Sequence, residues 1–98
     1  MLCGMGPSRK WLMLAALVWL APDTPGVIEL WDGDELVYVG ATRRDGETLR
    51  SELVRQLSGM GGDATHFSWE ICFDPLPRER ELLAEFERIY HRPPRFNL

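Results

Sequence analysis

The sequence predicts a small α+β domain, a three-stranded antiparallel sheet flanked by helices, preceded by an extra apolar helix. Two observations carry this. The β-rich runs Gly26–Trp31 and Leu36–Val39 enclose the turn-forming stretch Asp32-Gly33-Asp34-Glu35, which is a hairpin signal. Beyond them, two segments with apolar residues at three-and-four spacing bracket a third β-rich run, so the order is hairpin, helix, strand, helix. A length of 98 residues suits one domain, and 45% apolar with 27% charged residues is ordinary globular usage that excludes disorder as the reading for the whole chain.

The leading run Trp11–Ala21 is apolar throughout and follows Arg9 and Lys10. Eleven residues of helix cover about 16 Å, short of the ~20 residues that cross a bilayer, so no transmembrane span is expected. It reads as a helix capped by Ser8, apolar all round because it is buried, and ended by Pro22 and Pro25. On that reading residues 1–25 form a tail and apolar helix ahead of a domain at 26–98. The same run also looks like the charged and apolar regions of a signal peptide, although Trp19 and Ala21 before Pro22 do not form a small-residue cleavage site. An exported small protein is therefore the alternative to a cytoplasmic one.

From the hairpin onward each element has its own punctuation. Thr48 precedes Leu49, Leu53, Val54 and Leu57, a helical pattern stopped by Ser58-Gly59. A strand is expected at about Thr65 to Phe73. Pro75 and Pro77 then open a helix with Leu82, Leu83, Phe86, Ile89 and Tyr90 on one side, ending before Pro93-Pro94. Cys3 and Cys72 are too distant for a metal knuckle and too few for a disulfide scaffold, so reduced thiols are expected. His66 and His91 lack companions at ligand spacing, which argues against structural zinc.

Fifteen acidic against eleven basic residues give a net charge of −4, the opposite of the usual nucleic-acid footprint. The basic groups nevertheless cluster, with Arg43, Arg44, Arg50 and Arg55 after the hairpin and Arg88, Arg92 and Arg95 near the end. If both clusters border one cleft, weak and salt-sensitive nucleic-acid binding is the most to be expected.

The residues also carry a family resemblance. Gly26-Val27-Ile28, then Tyr38-Val39-Gly40 ten residues on, then a helix, then a Glu-containing helix followed by a Pro-x-x-Asn tail, resemble the GIY-YIG nuclease superfamily. The resemblance implies a metal-dependent endonuclease. It assigns Tyr38 to the second-motif tyrosine, Gly40 to its close-packed glycine and Asn97 to the supporting asparagine. Counting back from Asn97, and favouring a carboxylate between Leu82 and Ile89, it puts the Mg²⁺ or Mn²⁺ ligand at Glu85 rather than at Glu79, Glu81 or Glu87.

Two departures weaken the implied chemistry. Ile28 stands where the first motif ends in tyrosine, and it can neither give nor take a proton. With a three-residue turn it would face Tyr38 directly. Glu52 stands where the helix arginine is expected, an acid in place of a base, and Gln56 replaces a common histidine. Arg55, three residues after Glu52, is the candidate substitute, with Arg43, Arg44 and Arg50 as further phosphate-facing groups and His66 as an alternative base. Glu52 can equally hold Arg55 in an ion pair within the helix. The readings are thus a divergent, impaired endonuclease, or a catalytically silent domain of the same fold that binds protein or nucleic acid. The apolar leading helix is offered as a surface for a homodimer or another protein.

Overall fold

The computed structural model describes residues 7–59 and 63–97. Its elements are β1 (Trp11–Leu12), α1 (Ala15–Val18), β2 (Gly26–Asp32), β3 (Glu35–Ala41), α2 (Leu49–Ser58), β4 (His66–Ile71) and α3 (Pro75–Tyr90), closed by a 3₁₀ turn at Arg95–Asn97. The strands form one antiparallel sheet in the order β1-β4-β2-β3, with α2 and α1 on one face and α3 on the other. The α+β class and the flanking helices are as predicted, with a fourth, two-residue edge strand added to the expected three.

The hairpin forms where the turn residues stand. Gly33 adopts φ 61°, the left-handed conformation that glycine enters without steric penalty. The turn is one residue tighter than expected, and a bulge at Leu30/Trp31 adds a second residue of offset, which restores the face on which the expected pairing placed the side chains. In consequence Tyr38 lies opposite Leu30, and Ile28 lies opposite Gly40 rather than facing Tyr38.

Strand alternation then divides the chemistry between two faces. Ile28 and Leu30 point toward α2 and pack with Val37, Leu49, Leu53 and Phe67, all at most 1% exposed. Val27, Val39 and Ala41 meet Leu82 and Leu83 of α3. Gly26 is required by proximity, since a Cβ there would stand 2.1 Å from the Glu70 carbonyl oxygen. Thr48 caps α2 in a reciprocal box with Ser51, and Pro75 occupies the first turn of α3.

The leading segment departs from expectation. Ser8 does not cap a helix; its N–H donates to the Trp69 carbonyl (2.7 Å) and its Oγ accepts from Trp69 N–H (3.0 Å). Trp11 and Leu12 continue this pairing along β4, and Met13 N–H reaches Thr65 O. The outer edge of β4 would otherwise present unpaired backbone groups, so the segment follows it as a strand. Only one helical turn, Ala15–Val18, remains. Val18 and Ala21 enter the core, whereas Leu12, Leu14, Trp19 and Leu20 are each more than half exposed. Among the described residues no helix is long and apolar enough to cross a membrane. Cys72 takes part in a disulfide, which corrects the expectation of reduced thiols at that residue; Cys3 lies outside the described residues.

Candidate active site

The centre is built around Tyr38, which the β3 bulge turns toward the α2 face. Its ring lies along the backbone of Gly40: a Cβ at that position would be 2.6 Å from the ring and 2.7 Å from the phenol oxygen. Only a glycine leaves room for the tyrosine to lie flat there. Burial pushes the Tyr38 phenol above its usual range, and the nearby carboxylates Glu52 and Glu79 push it further, opposed by Arg55 and Arg43. The phenol therefore stays protonated near neutral pH and is a hydrogen-bond donor rather than a base.

Glu52 reaches this centre from α2. It is 2% exposed because it sits between Leu49 and Leu53 on the buried stripe of the helix. Arg55 donates a hydrogen bond to its Oε1, and Gln56 Nε2 donates to Oε2 at 3.3 Å. The Arg55 guanidinium is thus held by an acid of its own helix. Arg55 itself is largely solvent-exposed.

Glu79 reaches the same centre from α3. It is 7% exposed; Oε2 accepts the Ala41 N–H at 2.9 Å, and the Arg43 guanidinium contacts both oxygens at 3.0 and 3.1 Å. A carboxylate accepting from a backbone N–H and a guanidinium is well satisfied despite its burial. Beside it, Asn97 pairs with Val39 as a strand would: Oδ1 accepts the Val39 N–H and Nδ2 donates to the Val39 carbonyl, both at 2.9 Å. Glu79 and Asn97 together close the outer edge of β3.

The remaining residues singled out in the sequence lie in other places. Glu85 is exposed and forms an i,i+3 pair with Arg88. It borders a cavity of about 590 Å³ lined by Trp31, Leu36, Leu82, Phe86 and Ile89, at the turn end of the hairpin. Six residues of helix put it about 9 Å along the axis from Glu79, so the structure does not bring Glu85 to Tyr38. Arg50 Nε donates to the Ala21 carbonyl at 3.1 Å, which fastens the segment after α1 to α2 and keeps Arg50 from the centre. Arg44 is exposed in the loop after β3. His66 sits on the α3 face of β4, its Nδ1 2.8 Å from Thr65 Oγ1, on the opposite side of the sheet from Tyr38.

Glu79, set aside in favour of Glu85 on the sequence, is the buried carboxylate of α3 whose charge acts on Tyr38. It lies three and four positions before Leu82 and Leu83, which puts it on the α3 stripe that faces the sheet. Among the described residues no group of three His, Cys, Asp or Glu side chains is placed to hold a metal ion.

No family model matches the sequence, and no curated protein matches it. Solved structures do. Three structures of the GIY-YIG N-terminal endonuclease domain of UvrC from Thermotoga maritima, each a tyrosine-to-phenylalanine mutant bound to the catalytic divalent cation, superpose with a TM-score of 0.56 at 20–21% identity. The match covers 85% of this chain and 92–93% of theirs. The chain therefore carries the fold of the GIY-YIG nuclease domain in a divergent form.

Proposed function

We propose that the protein is a nucleic-acid phosphodiesterase of the GIY-YIG type with an impaired hydrolytic step. Its cation- and phosphate-facing half on β3 and α3 is kept, and the half on β2 and α2 that would activate the nucleophile is lost. The observation that supports this most is Glu79, a buried carboxylate fixed by Ala41 N–H and Arg43 next to Tyr38.

A Mg²⁺ or Mn²⁺ ion fits this residue set in one way. Such hard cations keep several waters and use one or two carboxylates together with phosphate oxygens, so Glu79 would serve as the protein ligand once the exposed Arg43 guanidinium swings from its oxygens to a phosphate. Bound there, the ion would polarise the phosphoryl oxygens as a Lewis acid. The chain's own groups supply the rest. Arg43, already at the rim of Glu79, offers a guanidinium to a phosphate. Tyr38, protonated, donates to a phosphoryl oxygen. Asn97 fixes the strand that presents both. Nothing at Ile28 can take a proton from water, and Glu52 presents an acid where a phosphate would approach, so cleavage is slow and binding weak.

The decisive experiment is nicking of supercoiled plasmid with Mg²⁺ or Mn²⁺. Slow, cation-dependent nicking is expected, reduced at least tenfold by Glu79→Gln and more mildly by Tyr38→Phe. Nicking that survives Glu79→Gln would refute the assignment of that carboxylate. Absence of nicking at every cation concentration would favour the second reading, a silent binding module, which the closed Glu52–Arg55 pair supports.

A further inference from the structure

On the sheet face opposite Tyr38 lies a second buried acidic cluster that the nuclease reading does not use. Glu29, in the middle of β2, is 4% exposed and points toward α3. Its cross-strand neighbour Ser68 donates from Oγ to Glu29 Oε1 at 2.7 Å, while Trp31 Nε1 donates to the same Oγ at 2.9 Å. Glu29 Oε2 is buried and has no hydrogen-bond partner.

The charged groups around it are unevenly matched. Glu70, on the same face of β4, is 2% exposed and takes the Arg78 guanidinium from α3 at 3.0 and 3.3 Å. Arg78 is shared further with Glu81 of α3 at 3.4 Å. His66 lies on the same face of β4, opposite Trp31, with Nδ1 2.8 Å from Thr65 Oγ1, and from β3 the residue opposite Glu29 is Val39, which is apolar and fully buried. Two buried carboxylates thus face one guanidinium, and Glu70 has it.

We propose that Glu29 is a proton-operated clamp: carried as the neutral acid it lets α3 lie on the sheet, and its ionisation loosens α3 and with it the Glu79 attachment to β3. An ionised carboxylate in such a place, without a counter-ion and with one oxygen unsatisfied, is strongly disfavoured, whereas the neutral acid is tolerated. Arg78 and Glu79 are adjacent on α3, so strain at the Glu29–Glu70–Arg78 cluster is felt where Glu79 holds Ala41 N–H.

Burial is the main cause that raises the Glu29 carboxyl from 4.5 to about 7; Glu70 adds to it, while the Ser68 hydrogen bond and Arg78 act in the other direction. A carboxyl with a raised folded pKa keeps its proton in the folded state after the unfolded chain has released it. Its contribution to stability is full below about 4.5 and is lost as pH rises through about 7.

The test compares chemical denaturation of wild type and Glu29→Gln from pH 5 to pH 8. The wild-type folding constant should fall by about 50–100-fold over that range from this group, and Glu29→Gln, which is neutral at every pH, should remove that fall. Hydrogen exchange of α3 amides should quicken with pH beyond its intrinsic dependence in the wild type only. Parallel stability profiles for the two proteins would overturn the proposal. If Glu29→Gln does not fold, a ¹³C-carboxyl NMR titration of the wild type decides: a Glu29 midpoint near neutrality supports the clamp, and one near 4.5 refutes it.

Discussion

On the β3–α3 side of Tyr38 stands Glu79 and on the α2 side stands Glu52, two acids that are 7% and 2% exposed and each paired with an arginine. Their partners differ in origin. Glu79 takes its hydrogen bonds from Ala41 and Arg43, so it fastens α3 to the edge strand and its burial serves the architecture. Glu52 takes its own from Arg55 and Gln56 on the same helix, so it joins nothing to anything. Burying an acid that links no two elements adds desolvation cost without tertiary gain. The fold does not need Glu52. What it does is set the charge beside Tyr38, where it raises the phenol and holds Arg55.

The largest effect should come from reversing that half of the centre. The double variant Ile28→Tyr with Glu52→Arg restores a proton-accepting side chain and a free cation, and plasmid nicking should rise by about 10²-fold or more, the low end of what general acid–base groups contribute. Overpacking a tyrosine at Ile28, which is fully buried, should cost about 1–3 kcal/mol, so melting is followed alongside cleavage. A folded double variant with unchanged nicking would show that the retained half is also not competent, and the contrast between the two sides would disappear.

The same contrast explains what could be read from the sequence. Elements whose signals are local were legible: the Asp-Gly turn, the stop of α2 at Ser58-Gly59, and Pro75 opening α3. The Glu52–Arg55 pair was legible too, because an i,i+3 interaction needs nothing beyond the helix. What required the tertiary structure was illegible. Trp11–Ala21 became an edge strand and one helical turn because the open side of β4 competed for its backbone, and an apolar run carries no mark of that competition. That Glu79 rather than Glu85 is buried against β3 was illegible as well, because the count from Asn97 carries no information on which carboxylate of α3 meets a neighbouring strand. The tighter turn and the bulge together moved Tyr38 from Ile28 to Leu30, one residue each, and a bulge leaves no mark in composition.

Of intermediate size is the effect of Asn97→Ala, which tests the architectural side. Removing the amide takes away both hydrogen bonds to Val39 and leaves two backbone groups of β3 without their partner. A loss of about 1–3 kcal/mol is expected in denaturant unfolding, with greater self-association through the opened edge, measurable by light scattering. Glu52→Gln, by contrast, should leave stability unchanged or raised, because it removes a buried charge and keeps a hydrogen-bond acceptor for Arg55. If Glu52→Gln destabilised the protein as much as Asn97→Ala, Glu52 would have to be counted among the residues that hold the fold.

The smallest effect is expected from Glu85→Ala, and it discriminates between the two carboxylates of α3. The Arg88 guanidinium hydrogen-bonds to Glu85 and lowers its carboxyl below the usual range, but both side chains are more than half exposed. Water and salt screen such a pair, and helix pairs of this spacing add little to stability. Replacement by alanine, a better helix former, compensates part of the loss. The melting temperature of Glu85→Ala and its cation-dependent nicking should therefore match wild type within error at moderate salt, whereas Glu79→Gln should lower both. A Glu85→Ala protein that folds normally yet no longer nicks would place the cation at the cavity beside Trp31 and Leu36, and would return the catalytic carboxylate to the position that the count from Asn97 indicates.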